Sequence, residues 1–424
     1  MGNRFTAAEW SAIEAELDAM TSEDPYGFPQ RRNDSVVMAS FNIRALGSAD
    51  TIAPDENGGR TQGAWDLLAR FCSQCDFIAI QEVGDNLAGL RRLKDDLADS
   101  DRYALVVSDI SGQNPVTDQG HEERLAFLYR WDKIERTELA SDIGYDRSAV
   151  LSNLTTHWDK FKKDIDAYLC ALKHHEKDVK RHEKGKLTSK PRKPGLYLSH
   201  FLTFVRTPHV ASFRIKGSGG AELPFHAVNA HLLYGDKSKS KQERKLEFDA
   251  LVDWLCWRTH AEERLYHKNI ILFGDMNLEF KERFGRDMTR ADDAIKAMNK
   301  NVSESFSVNF PFLDVPDKRK PGSGDGLGRY MSTARDTETY DQIGLFGFDG
   351  GLPGHGANDG AAPNNPAIFD YNVFRFADVF AKALHGKDTY LEVLTDLGDK
   401  KFIKRFEYDV SDHHPIWIRL PKPN

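Results

Sequence analysis

An α/β protein with mixed sheets is the fold class that this sequence predicts, on three observations. Apolar runs of strand length recur along the 424 residues, and helical patterns fall between several of them. Neighbouring runs such as 202–215 and 225–233 are also close enough in sequence to pair as a hairpin. In order, Trp10, Ile13, Leu17 and Met20 recur at three- and four-residue steps, which predicts an amphipathic helix over 7–20. Asp24, Pro25, Gly27 and Pro29 then break the chain. Strands are predicted at 36–43, 77–83, 104–110, 125–130, 202–215, 225–233, 269–276, 340–346 and 415–420, with helices clearest at 64–71, 86–98 and 243–259. The expected organisation is an N-terminal helix and linker over 1–35, then one domain over 36–420.

Two segments read as insertions. The first, at about 150–200, begins with Leu154, Trp158, Phe161, Ile165 and Leu169 on one helical face and then turns basic. Nine Lys and Arg against three acids fall in residues 173–193. Such a run is either a solvated face or an arm for a nucleic-acid backbone. The second, at about 315–365, holds Gly322-Ser323-Gly324-Asp325-Gly326 and a Gly-rich stretch from Gly350 to Asn365, and reads as long loops flanking the strand at 340–346.

Composition narrows the class. A hydrophobic fraction of 40% and a charged fraction of 29% are those of an ordinary globular protein. No run approaches the roughly 18 apolar residues of a membrane span. The start, Met1 to Trp10, lacks the pattern of a secretory signal, so a cytoplasmic protein is expected. Cys72 and Cys75 have C-x-x-C spacing, but Cys170 and Cys256 supply no second pair; reduced, partly buried thiols are expected in place of a zinc site. The net charge of −7 recruits no polyanion globally, so any nucleic-acid contact must be local.

The strand ends carry the chemistry. Apolar runs finish at Phe41-Asn42, Gln81-Glu82, Ala230-His231 and Gly274-Asp275-Met276-Asn277, and Ser411-Asp412-His413-His414 precedes the last strand. A strand that stops at a carboxylate presents its oxygen at the sheet edge, where a hard cation and a phosphate can share it. Singly, each has a plain reading: Asp275 and Asn277 as an Asx-capped turn, Asn42 as a core amide. Together they point to one metal-assisted phosphoester site.

With Tyr340-Asp341-Gln342-Ile343 added, the order and spacing of these motifs resemble the endonuclease/exonuclease/phosphatase superfamily, over about residues 36–420. The resemblance implies a four-layer α/β/β/α sandwich of two mixed sheets. Glu82 is then the principal Mg²⁺ ligand (Mn²⁺ can substitute), with Asn42 and Asp412 completing the shell. Asp275 and Asn277 are the pair that activates water, Asp341 orients His413, and His231 is the second active-site histidine. His413 and His231 can each donate to the phosphate.

Within the superfamily, abasic-site endonucleases usually carry Asn where His231 stands, and inositol polyphosphate phosphatases carry Trp-Cys-Asp-Arg where this chain has Thr339-Tyr340-Asp341-Gln342. Deoxyribonuclease I-like enzymes look closer, on Val106–Asp109, Glu123–Arg130 and Val205–Pro208. By that match Arg206 contacts a backbone phosphate and Asp109 orients His231. Gln342 departs from the Arg common in the family. His414 is expected to be a surface neighbour of the site. His174, His175, His182, His209 and His226 are expected to be solvated or structural. The expected function is Mg²⁺-dependent phosphodiester hydrolysis of nucleic acid, with DNA as the substrate. The alternatives are a phospholipid or small-phosphoester hydrolase and an inactive scaffold.

Overall fold

The computed structural model describes residues 4–20, 26–112, 122–144, 147–196, 198, 200–201, 203–235, 238–259, 266–278, 306–312, 331–348, 350–358 and 369–424. Gly322–Gly326 and the end of the second Gly-rich stretch lie outside them.

Two six-stranded sheets form the centre. The first contains β1 (Ser35–Leu46), β2 (Phe77–Val83), β3 (Tyr103–Val107), β4 (Arg124–Arg130), β11 (Asp370–Val373) and β12 (Ile416–Pro421), in the order β11-β12-β1-β2-β4-β3. The second contains β5 (Ile134–Asp142), β6 (His209–Lys216), β7 (Glu222–His231), β8 (Ile270–Asp275), β9 (Phe306–Asn309) and β10 (Asp341–Phe348), in the order β5-β6-β7-β8-β10-β9. Each sheet has one parallel pair at its centre, β1 with β2 and β7 with β8; the other pairings are antiparallel. That arrangement places the site. The carboxyl ends of four central strands, and the starts of β10 and β12, meet at one edge of the stack.

Apolar side chains on facing surfaces hold the sheets together. Phe77 sits among Phe127, Phe213, Phe225 and Phe273, with ring centroids 5.0–5.8 Å apart. Outside the first sheet pack α1 (Ala7–Ala19), α2 (Gln62–Cys72), α3 (Ala88–Asp95), α7 (Phe376–His385), α8 (Tyr390–Asp396) and α9 (Lys400–Asp409). Outside the second, α6 (Ser238–Thr259) buries Phe248, Leu251, Val252 and Leu255. Three apolar cores therefore separate four layers, helix, sheet, sheet, helix. The N-terminal helix joins this packing: Trp10, Ile13 and Leu17 are buried, and Thr6 with Glu9 closes a reciprocal cap. Cys72 and Cys75 are free and fully buried. No helix among the described residues is long and apolar enough to cross a membrane.

Differences from the sequence expectations have physical causes. The run 202–215 becomes strand only at His209, because Pro208 supplies no ladder N–H and the chain before it turns inward. β5 went unpredicted because it is a polar edge strand with half its residues in water. β9 and β11 are four residues each, too short for an alternation to register. The helical insert exists as α4 (Arg147–Thr156) and α5 (Trp158–Glu183). On the expected apolar face of α5, Phe161 is buried whereas Trp158 and Leu169 are exposed.

His226 of β7 is buried, with its pKa pulled down to about 3 by burial and by the nearby His267 and Arg258 charges. Its Nε2 accepts the His267 N–H at 3.1 Å, a bond that protonation breaks. A histidine with a depressed folded-state pKa contributes stability above its unfolded value near 6.5, lost as pH falls toward the folded value. Between pH 7 and 5 the expected loss is about 2 kcal/mol from this residue. Denaturant unfolding of wild type and His226→Gln at both pH values tests this; an equal pH dependence in the two proteins sinks it.

Candidate active site

Asn42 sits within β1 where its pairing with β2 shifts register, and the other site residues lie at strand ends or just outside them. β1 delivers Asn42, fully buried, whose Nδ2 donates to Asp275 Oδ2 at 3.0 Å and to Glu82 Oε1 at 3.2 Å. β2 delivers Glu82 at φ +59, a left-handed conformation uncommon outside glycine that turns the carboxylate out of the strand pleat. Its Oε2 accepts the Ala45 N–H at 2.9 Å. At the end of β8, Gly274 has φ +148, and a Cβ there would lie 1.8 Å from the Ala230 carbonyl oxygen. Only glycine lets β8 approach β7 this closely, in the register that pairs His231 with Asp275.

Asp275 is the hub. Its Oδ1 accepts the Asn277 N–H at 2.8 Å, and Asn277 Nδ2 donates to the Leu232 carbonyl at 3.0 Å. Its Oδ2 lies 3.6 Å from His231 Nε2 and 3.5 Å from His413 Nε2. Each imidazole is held from behind. Glu123 Oε1 is 2.7 Å from His231 Nδ1, and Asp341 Oδ2 is 2.7 Å from His413 Nδ1. The second sheet contributes Asp275, Asp341 and His231, and the approach to β12 contributes His413. Ser411 fixes that approach, donating to the Asn42 carbonyl at 2.8 Å and accepting the His413 N–H at 3.2 Å.

Electrostatics follow from this packing. Burial alone would lower both histidine pKa values, but the Glu123 carboxylate overcomes it at His231, and Asp341 with Asp275 does so more strongly at His413. Burial pushes Asp275 up, yet His413, His231 and the Asn42 amide hold it below the usual carboxylate range. Glu82 is likewise held low against burial, by His231, the Ala45 N–H and His413. Asp412 goes the other way: burial raises it, and the Glu82 charge adds to the rise despite His413.

The donor set also suits a hard cation. Asn42 Oδ1 and Asp412 Oδ1 are buried oxygens with no hydrogen-bond partner among the described residues, and Glu82 adds a carboxylate. Oxygen donors of this kind, with the Glu82 charge raising the cost of ionising Asp412, are what Mg²⁺ or Mn²⁺ relieves. Asp275, Asp341 and His413 form a second cluster able to hold a metal ion, with ligand atoms within 4.8 Å of one another. Asp341 already holds His413 Nδ1 at 2.7 Å, which leaves Nε2 facing Asp275.

Sequence reasoning misplaced three residues. Asp109 does not orient His231: it is exposed and pairs with Arg124 at 3.2 Å, while Glu123 takes the histidine. The signal for Glu123 was present, since it opens the Glu123–Arg130 run, immediately before β4. Arg206 was expected on a backbone phosphate but is buried, 3.1 Å from Glu123 Oε2, and donates to the Leu232 carbonyl at 3.1 Å. It braces Glu123. His414 is 1% exposed, between the rings of Phe376 and Phe406, and so is no surface residue. Of the other histidines, His209 is structural, held 2.8 Å from Asp142.

With His231 dependent on Glu123, Glu123→Gln is expected to lower activity about 10- to 100-fold, the range for carboxylates that orient a functional histidine. A steady-state pH profile checks it. Full activity with an unmoved profile would remove Glu123 from the site.

No family model matches the chain. A curated relative, a deoxyribonuclease of Thioalkalivibrio sp. (strain K90mix), is 28% identical over 245 residues, covering 57% of this chain and 46% of the relative. The chain spans about half the length of the curated relative it matches. Among solved structures, the human Nocturnin catalytic domain with bound sulfate covers 92% of this chain and 95% of its own at 12% identity and a TM-score of 0.42. An endonuclease/exonuclease/phosphatase family protein from Bacteroides thetaiotaomicron covers 91% and 94% at 15% identity and 0.41. Likenesses this distant assign no reaction. The site's own geometry is two carboxylate-backed histidines converging on one aspartate oxygen.

Proposed function

We propose that this chain is a divalent-metal-dependent phosphodiester hydrolase of the endonuclease/exonuclease/phosphatase superfamily, an intracellular nuclease acting on DNA, with residues 36–420 as the catalytic domain. One observation carries the reading: His231 Nε2 and His413 Nε2 both face Asp275 Oδ2, beside the unpartnered oxygens of Asn42 and Asp412 and the carboxylate of Glu82. The low pKa of Asp275 keeps it a carboxylate at neutral pH, able to orient and polarise a water for in-line attack on phosphorus. Asn277 holds that carboxylate in place through its backbone N–H. The two histidines, their pKa values raised, stay protonated enough to donate to the phosphate oxygens as charge builds. Glu82, Asn42 and Asp412 would hold Mg²⁺, which offsets charge on the non-bridging oxygens and the leaving oxygen. The curated deoxyribonuclease relative supports the nucleic-acid substrate, and the unbonded Cys72 and Cys75 suit a reducing compartment.

The test is the wild-type protein with supercoiled plasmid, RNA, and a panel of sphingomyelin and inositol phosphates, each with Mg²⁺ and with EDTA. Plasmid nicking that EDTA abolishes is the expected result. Activity confined to the lipid or inositol panel overturns the nuclease reading; nicking that survives EDTA overturns the metal.

A further inference from the structure

We propose that α5 and the segment returning from it form a cationic arm that lies along the phosphate backbone of duplex DNA. The inference rests on the nuclease reading above. Residues 158–193 carry twelve Lys and Arg against six acids, a net +6, so the remainder of this −7 chain sums to −13. The net charge of the remainder disfavours a polyanion, and this segment attracts one.

The helix sorts its residues by face. Phe161 is buried, and Ile165, Tyr168, Leu172, His175 and Val179 are half-buried, along one stripe. The returning chain covers the base of that stripe: Phe161 meets Phe201 at 5.9 Å, and Lys160 Nζ lies 2.8 Å from His200 Nε2. On the opposite face Lys162, Lys173, Lys177, Lys180 and Lys184 are exposed, the last four at four-, three- and four-residue steps. Among the described residues none of these five has an acid within ion-pair distance; the ion pair on this helix is Arg181 with Asp178, at 3.0 Å. Exposed Glu176 and Glu183 stand three residues from Lys173 and Lys180, yet among the described residues they form no ion pair with them, so these ammonium groups are open to an external anion. Beyond the helix, Lys186, Lys190, Arg192 and Lys193 are exposed as well, the last two between Pro191 and Pro194, which favour an extended chain.

Length and attachment agree with the partner. Lys162 to Lys184 spans about 33 Å of helix, close to one turn of B-form duplex. The arm leaves β5 at Asp142 and rejoins the body through the limb that carries Arg206. Arg206 braces Glu123, which holds His231. The arm is thus rooted on the His231 side of the site.

The test is a triple charge reversal, Lys173→Glu, Lys177→Glu and Lys180→Glu, in the full chain, with thermal unfolding confirming an intact fold. Binding to a duplex of about 20 base pairs is measured by fluorescence anisotropy in EDTA across a salt series. Each lost phosphate contact flattens the log–log salt slope by about 0.9, so a decrease of about 2–3 is expected, with at least a tenfold weaker Kd at low salt. Lysine-to-arginine replacements at the same positions should restore both. An unchanged slope and Kd overturns the arm, as does wild-type binding to anionic vesicles in place of duplex. Plasmid cutting alongside an unchanged slope removes the arm and keeps the nuclease. Loss of duplex binding in a protein that cuts no nucleic acid keeps the arm and removes the nuclease.

Discussion

Glu82→Ala is expected to lower phosphodiester hydrolysis on the order of 10³-fold, because several kcal/mol of charge stabilisation depend on the cation it helps hold. Its carboxylate is anchored by Ala45 N–H and Asn42 Nδ2, so the position is prepared before any ion arrives. Removing it leaves Asn42 Oδ1 and Asp412 Oδ1 to bind alone, and half-saturation by Mg²⁺ should move to higher concentration. A readout independent of turnover is available. Mg²⁺ or Mn²⁺ that binds only the folded protein raises its stability by RT ln(1 + [L]/Kd), and the variant should lose that stabilisation at concentrations where wild type shows it. The same metal-dependent melting shift in both proteins would take Glu82 out of the metal site.

His413→Ala is expected to cost about 10²–10⁴-fold in kcat, the usual contribution of a positioned proton donor, with a smaller change in KM. Asp341→Asn is the more discriminating partner. In wild type the Asp341 and Asp275 carboxylates raise the His413 pKa well above its ordinary value, so the protonated imidazole persists through neutral pH and is lost as pH rises through the raised value. With the carboxylate gone that pKa falls toward 6.5, and the alkaline limb of the rate profile should move to lower pH. A rate profile whose alkaline limb stays in place would mean that another group limits it.

Much of this site was legible because its residues end strands. Asn42, Glu82, His231 and Asp275 each follow an apolar run whose length and composition mark a strand, and the parallel pair in each sheet then gathers those ends. Asp341 and His413 were legible as a pair through family resemblance; their 2.7 Å contact comes from an approach that no spacing reveals. Glu123 was obscured because β4 lies in the first sheet and His231 in the second, so their meeting depends on how the sheets face each other. Arg206 was misread for a related reason. A charge in a loop is assumed to face water, and here a buried carboxylate draws it inward. The three C-terminal helices escaped because each has ten residues or fewer, under three turns, whose apolar positions resemble the core strands around them.

The β5–β6 pairing has a wider consequence. Asp142 and His209 are partners across the ladder, so the whole excursion between them hangs from a hairpin whose stems are already closed. The entropy of joining the ends of a loop grows only with the logarithm of its length, about 0.6 kcal/mol per doubling. Sequence can therefore be added to or cut from the outer part of this excursion with little cost to the sheets, provided Arg206 and its neighbours remain. The molecule is divided into a fixed sheet edge and an exchangeable extension. A lineage can change that extension, or engineering can graft another element onto it, without disturbing the strand ends that form the candidate site.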